Sequence, residues 1–127
     1  MTDGAADRWI NIRTWPELIL DRLEDAGVAR ITLNRPDKRN CWNEAMCEAF
    51  MQSLEIIRAD KELKAVITRG AGPCFSSGLD LNFLKGVSDG PLLDWDRPTP
   101  TIQLAETLRG FPRIMIAQVH GYCLGGA

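Results

Sequence analysis

Gly70-Ala71-Gly72-Pro73-Cys74-Phe75-Ser76-Ser77-Gly78-Leu79-Asp80-Leu81 is the stretch on which the reading of this chain turns. Just before it, Leu63 to Thr68 holds Ala65, Val66 and Ile67 in a row, the pattern of a short strand buried on both faces. Just after it, Asp80 to Lys85 reads as a short helix with Gly86 as its C-cap. A glycine-rich turn from a buried strand into a helix lies where α/β proteins hold ligands, at the carboxyl ends of strands. Gly78 permits an unusual backbone angle, which frees the N–H of Leu79 to face a ligand.

Towards the C-terminus the same arrangement recurs. Gly86 to Pro100 is irregular and reads as a mobile loop. Thr99 caps a helix that starts at Pro100, runs to Arg109 and stops at Gly110 and Pro112. Ile114 to Val119 reads as another buried strand, and Gly121-Tyr122-Cys123-Leu124-Gly125-Gly126-Ala127 follows it. Gly125 and Gly126 allow close approach to a ligand. Two backbone donors aimed at one point would hold a developing oxyanion, about 3–4 kcal/mol per donor.

Towards the N-terminus, Glu17 to Leu23 and Val28 to Leu33 form a hairpin turned at Glu24-Asp25-Ala26-Gly27. Pro36 ends the second strand. Asn43 is the N-cap of a helix whose Met46, Phe50, Leu54 and Ile57 share one face and which ends near Asp60. Residues 1–15 carry charges and no long apolar run, and are read as a flexible leader rather than a signal peptide. The order β-β-α-β-loop-α-loop-α-β argues for one α/β layered domain over residues 16–127.

Composition narrows the function. A formal net charge of -2 gives no global positive field for nucleic acid or an anionic membrane. No apolar run reaches membrane-spanning length. Four scattered cysteines without a C-x-x-C pair, beside one histidine, speak against a metal site and for reduced thiols in the cytoplasm. Neither loop carries Gly-Lys-Ser/Thr or G-x-G-x-x-G, so a P-loop or nicotinamide site is not indicated. No G-x-S-x-G elbow surrounds Ser77, so it is no nucleophile.

Three segments in order carry a resemblance: Ile31 to Asn40 (ITLNRPDKRN), Cys74 to Leu81 (CFSSGLDL) and Ile116 to Gly126 (IAQVHGYCLGG). All three are similar to segments of the enoyl-CoA hydratase/isomerase (crotonase) family, and the similarity extends from Glu17 to Ala127. The first helix-start loop leans towards dienoyl-CoA isomerase-like members. The resemblance implies a crotonase-like β-β-α spiral fold and an acyl-CoA thioester as ligand, with coenzyme A part of the substrate and no separate cofactor. It places the two oxyanion-hole amides at Leu79 and Gly126. It places the nucleotide end of CoA against the turn 34–41, with Lys38 and Arg39 as phosphate partners and Cys41 where the family often has alanine. Ser76, Ser77, Gly78, Asp80 and Leu81 line the same region.

Plainer readings stand beside these. Lys38 and Arg39 fit solvated turn charges, Asp80 a helix cap, His120 a loop or packing histidine, and Tyr122 a packed ring. Trp42, Phe83 and Trp95 are candidates for an acyl pocket, with core the first choice for Trp42. Family hydratases carry their catalytic carboxylates after the Gly-Gly turn, and the family fold continues into further β-α turns and C-terminal helices. The chain is therefore expected to be the N-terminal portion of a longer protein that forms trimers or hexamers, and the strand at Ile114 is expected to lack much of its cover. The alternative is a non-catalytic CoA-binding or interaction module on the same scaffold.

Overall fold

The computed structural model of the chain describes residues 7–88 and 98–127. Five strands form one sheet in sequence order: β1 (Trp9–Trp15), β2 (Leu18–Leu23), β3 (Val28–Leu33), β4 (Ala65–Gly70) and β5 (Ile114–Gln118). β1, β2 and β3 pair antiparallel, while β3, β4 and β5 run parallel. Parallel neighbours need crossovers. α1 (Glu44–Ala59) connects β3 to β4, and α2 (Leu81–Ser88) and α3 (Pro100–Arg109) lie between β4 and β5.

α1 forms where its periodicity places it. The Asn43 side chain accepts from the Met46 amide at 2.9 Å, satisfying one donor of the first turn. Met46, Phe50, Leu54 and Ile57 are buried together with Leu18, Leu20, Ile31 and Leu33 of the sheet. Each such side chain contributes about 1.5–3 kcal/mol on burial. In α3 the Thr99 hydroxyl accepts from the Ile102 amide, Pro100 stands in the first turn, and Leu104 enters the same core.

The other face of the sheet is polar. Asp21 pairs with Arg30 at 2.9 Å and accepts from the Asn11 side chain at 3.2 Å, and Arg69 donates to Thr32 Oγ1 at 3.0 Å. Arg30 also stacks 3.9 Å from the centre of the Trp9 ring. These contacts help to hold β1.

Four sequence readings need correction. Residues 9–15 are a strand, not a leader. A register shift between Asn11 and Arg13 breaks the two-residue alternation by which a strand is recognised. Gly86 lies inside α2 rather than capping it. β5, whose apolar run reads as a buried strand, is the edge strand, with Ile114 and Ile116 exposed, in line with the expected lack of cover. Tyr122 is exposed as well, not packed. The loop read at 86–100 and Trp95 fall largely or wholly outside the described residues.

Candidate functional site

The loops that follow β3, β4 and β5 leave the sheet at the same end, because those strands are parallel. They then zip together. Phe75 N–H donates to the His120 carbonyl at 2.7 Å and Ser76 N–H to the Tyr122 carbonyl at 2.9 Å, while Leu124 N–H donates back to the Ser76 carbonyl at 3.2 Å. On the other side, Ser77 N–H donates to the Arg39 carbonyl at 2.9 Å, Trp42 N–H to Gly78 at 2.8 Å, and Asp80 N–H to Trp42 at 2.8 Å.

Asn40 is the hub of this arrangement. It is fully buried, with φ 53°, a conformation asparagine tolerates better than most residues. Its Nδ2 donates to the carbonyls of Ala71 (2.8 Å) and Cys74 (2.9 Å), and its Oδ1 accepts from the Arg35 amide (2.9 Å). Its carbonyl accepts from the buried Ser76 hydroxyl, which in turn accepts from Gly78 N–H. Sequence reasoning alone misses Asn40. The signal that could find it is an asparagine in a tight turn directly before a helix cap.

Two unbonded amides of these loops belong to residues on one cavity. Phe75, Ser76, Ser77, Gly78 and Asp80 all donate, yet among the described residues the amide of Leu79 donates to nothing. The amide of Gly126 is likewise unbonded among the described residues, as are those of Tyr122, Cys123 and Gly125. Leu79 and Gly126 line one cavity of about 400 Å³, with Trp42, Phe50, Phe75, Leu104 and Met115 supplying much of its wall. The loops touch here. Gly78 has φ +98°, and a Cβ on it would stand 2.7 Å from the Leu124 carbonyl oxygen and 3.5 Å from the Gly126 nitrogen. No carboxylate, imidazole or ammonium group lines the cavity among the described residues.

The remaining candidates divide. Lys38 and Arg39 lie on the turn after β3, exposed and in no ion pair among the described residues. Leu81 is exposed at the start of α2, and Ser77 is half-buried. Asp80 does cap: its Oδ1 accepts from Asn82 N–H at 2.9 Å. Its Oδ2 faces the Arg35 guanidinium and the Cys41 thiol, each at 3.5 Å. The Asn82 amide, then the Cys41 thiol, the Phe83 amide and Arg35, hold the Asp80 carboxyl below its ordinary value of 3.8, against burial. The stability these contacts give is complete above pH 3.8 and is lost as the pH falls below it. Burial pushes the Cys41 thiol up, with Arg35 opposing and Asp80 adding to the rise. Phe83 does not reach the apolar cavity but lines a separate groove with Asn43, Glu48 and Asp80. His120 Nε2 lies 2.9 Å from the Gly72 carbonyl, fastening the loop.

The four thiols are free and differ in access. Cys123 is exposed and lines the cavity. Cys47 is buried, and burial, then Glu44 and Glu48, push its thiol up to about 11. The fold therefore loses stability as the pH climbs from 9.0 towards 11. With an aromatic disulfide reagent at neutral pH, Cys123 is expected to react at once and Cys47 only on unfolding. Equal rates for both would contradict this placement.

No helix among the described residues is long and apolar enough to cross a membrane. No cluster of metal-binding side chains occurs among them.

The sequence profile of the enoyl-CoA hydratase/isomerase family matches residues 24–127. The mouse mitochondrial Delta(3,5)-Delta(2,4)-dienoyl-CoA isomerase is 31% identical over 108 residues, covering 78% of this chain and 33% of that protein. A putative enoyl-CoA hydratase from Thermus thermophilus is 30% identical over 106 residues, covering 83% of this chain and 42% of its own length. The crystal structure of an enoyl-CoA hydratase/isomerase from Xanthobacter autotrophicus superposes with a TM-score of 0.76 at 36% identity, over 89% of this chain and 42% of that one. The chain thus spans less than half the length of these relatives. With its mixed sheet, its three interlocked loops and the matched profile, the chain belongs to the enoyl-CoA hydratase/isomerase family and has the crotonase-like α/β fold.

Proposed function

We propose that this chain supplies the acyl-CoA binding and polarising part of an enoyl-CoA hydratase/isomerase-type enzyme. In this reading the amides of Leu79 and Gly126 donate to the thioester oxygen and stabilise the enolate formed when charge moves onto it. The observation that carries it is that the unbonded amides of Leu79 and Gly126, from two different loops, lie on one apolar cavity. An apolar wall strengthens such donors, because water competes poorly there. The acyl chain occupies the cavity between Trp42, Phe50 and Leu104. The nucleotide end of CoA lies over the turn after β3, where Lys38 and Arg39 are exposed and able to meet phosphate.

Apart from the Cys123 thiol the lining side chains carry no acid or base, so these residues chiefly bind and polarise, while proton transfer falls to groups outside this lining. The absence of carboxylates from the lining also suits a non-catalytic CoA-binding module, and one titration separates binding from its absence. Acetoacetyl-CoA, which forms an enolate, is added to the chain and followed by ultraviolet difference absorption. The expected result is a saturable enolate band, with Cys123 protected from thiol reagents. A folded chain giving no band would refute the polarising role. Binding and a band without turnover by the complete protein would favour the module. Four free thiols fit a reducing compartment, the cytoplasm in this reading. Assembly of the complete protein into trimers or hexamers belongs to the same proposal and is tested by sedimentation.

A further inference from the structure

The peptide unit that presents the Leu79 amide is gripped on both sides. Trp42 N–H donates to the Gly78 carbonyl before it, and Asp80 N–H donates to the Trp42 carbonyl after it, each at 2.8 Å. Those bonds fix the backbone in line with Trp42, and Leu84 N–H, donating to the Asp80 carbonyl at 2.9 Å, ties the segment to α2. The Asp80 side chain adds a tie to the turn after β3. Its Oδ2 meets Arg35 Nη2 at 3.5 Å and the Cys41 thiol at 3.5 Å. Arg35 is anchored in its own turn: Nη1 donates to the Cys41 carbonyl at 2.6 Å, and its main-chain N–H donates to Asn40 Oδ1 at 2.9 Å. Both partners are largely buried, with side-chain exposures of 16% and 19%. A pair this sheltered is screened less than a surface one, and the planar guanidinium fixes direction as well as distance.

We propose that Arg35 is a positioning residue that, through Asp80, holds the Leu79 amide in the direction required to polarise a thioester. This inference rests on the oxyanion reading given above. It assigns to the turn after β3 a second task besides meeting CoA phosphate. Arg35 does not line the cavity; it acts through the residue next to the donor.

The test uses Arg35→Gln, Asp80→Asn and the double variant, each titrated with acetoacetyl-CoA and separately with coenzyme A, which has no carbonyl to polarise. Enolate absorbance per bound ligand is expected to fall roughly tenfold in either single variant, a fraction of the about 10²-fold loss that a 1 Å misplacement can cause. The double variant is expected to be no worse than the singles, because both break one contact. Coenzyme A affinity should change by far less than the band does, and the melting temperature should fall by a few degrees, as the loss of one partly exposed ion pair allows. Where Arg35→Gln does not fold, Asp80→Asn, which keeps the side-chain size, and Arg35→Lys give the same readout. If the parent chain shows the band and the variants keep it in full, the positioning role is wrong and the oxyanion reading stands. If coenzyme A affinity falls as far as the band does, Arg35 is merely structural and the proposal is overturned. If the parent chain itself shows no band, the oxyanion reading fails and this inference fails with it.

Discussion

Gly126→Pro is expected to weaken the polarised acetoacetyl-CoA complex by about 10²–10³-fold, the effect of removing one oxyanion donor. Proline has no N–H, and the amide it replaces makes no hydrogen bond among the described residues, so the fold loses none there. The preceding residue is Gly125, with φ +56° and open space where a side chain would project, so the chain before the ring has room to adjust. Crowding is the competing cause of any loss. A Cβ on Gly126 would stand 3.2 Å from Cγ and Cδ2 of Leu79, close enough to press on a flexible side chain. Gly126→Ala introduces that contact while keeping the N–H, and is expected to cost far less than proline. Titration of both variants against the parent decides the matter. Equal losses for alanine and proline would mean crowding, and no loss for proline would remove Gly126 from the site.

The second large effect concerns stability. Asn40→Ala is expected to lower stability by roughly 3 kcal/mol, since three side-chain hydrogen bonds vanish and the carbonyls of Cys74 and Ala71 lose a partner. The φ of 53° adds to the cost, because alanine favours that region less than asparagine does. For a chain of this size the melting temperature should drop by about 10 °C or more. Asn40→Asp is the informative control. It keeps the acceptor for Arg35 N–H but places a carboxylate oxygen against the Ala71 and Cys74 carbonyls, so it should be no milder than alanine. Denaturant unfolding of the three chains measures this. An Asn40→Ala midpoint equal to the parent's would show that the hub is dispensable.

How much of this is legible in the sequence depends on how local the signal is. α1 follows from Asn43 and from the spacing of Met46, Phe50, Leu54 and Ile57, a pattern contained within the helix itself. The same holds for Thr99 and Pro100 at α3. The glycine-rich loops are recognisable as a pair at one end of the sheet because the strand before each is readable. β1 escapes because its bulge scrambles the alternation and because Trp9 is held by Arg30, a partner two strands away. The apolar run of β5 looks the same whether or not a neighbour covers it, so the expected lack of cover comes from the family resemblance and not from the run itself. Asn40 and Arg35 escape for a related reason. Their worth lies in Ala71, Cys74 and Asp80, which stand far along the chain from both. No window of sequence displays such a pairing. Lys38 and Arg39, by contrast, are named through the family resemblance of their turn, and the structure leaves both exposed.

The zipped loops also have a history in time. A ribosome releases the chain from its N-terminus, and segments order themselves as they emerge. Residues 18–66 contain most of the buried core, so the strands and α1 can pack while the tail is still inside the exit tunnel. During that interval the amides of Phe75 and Ser76 face water, because their acceptors are the carbonyls of His120 and Tyr122. Of the features described, the cavity is thus the last that the nascent chain builds. A stalled or clipped product missing the loop after β5 would keep much of the core and lack the cavity, a packed scaffold with its first loop unzipped.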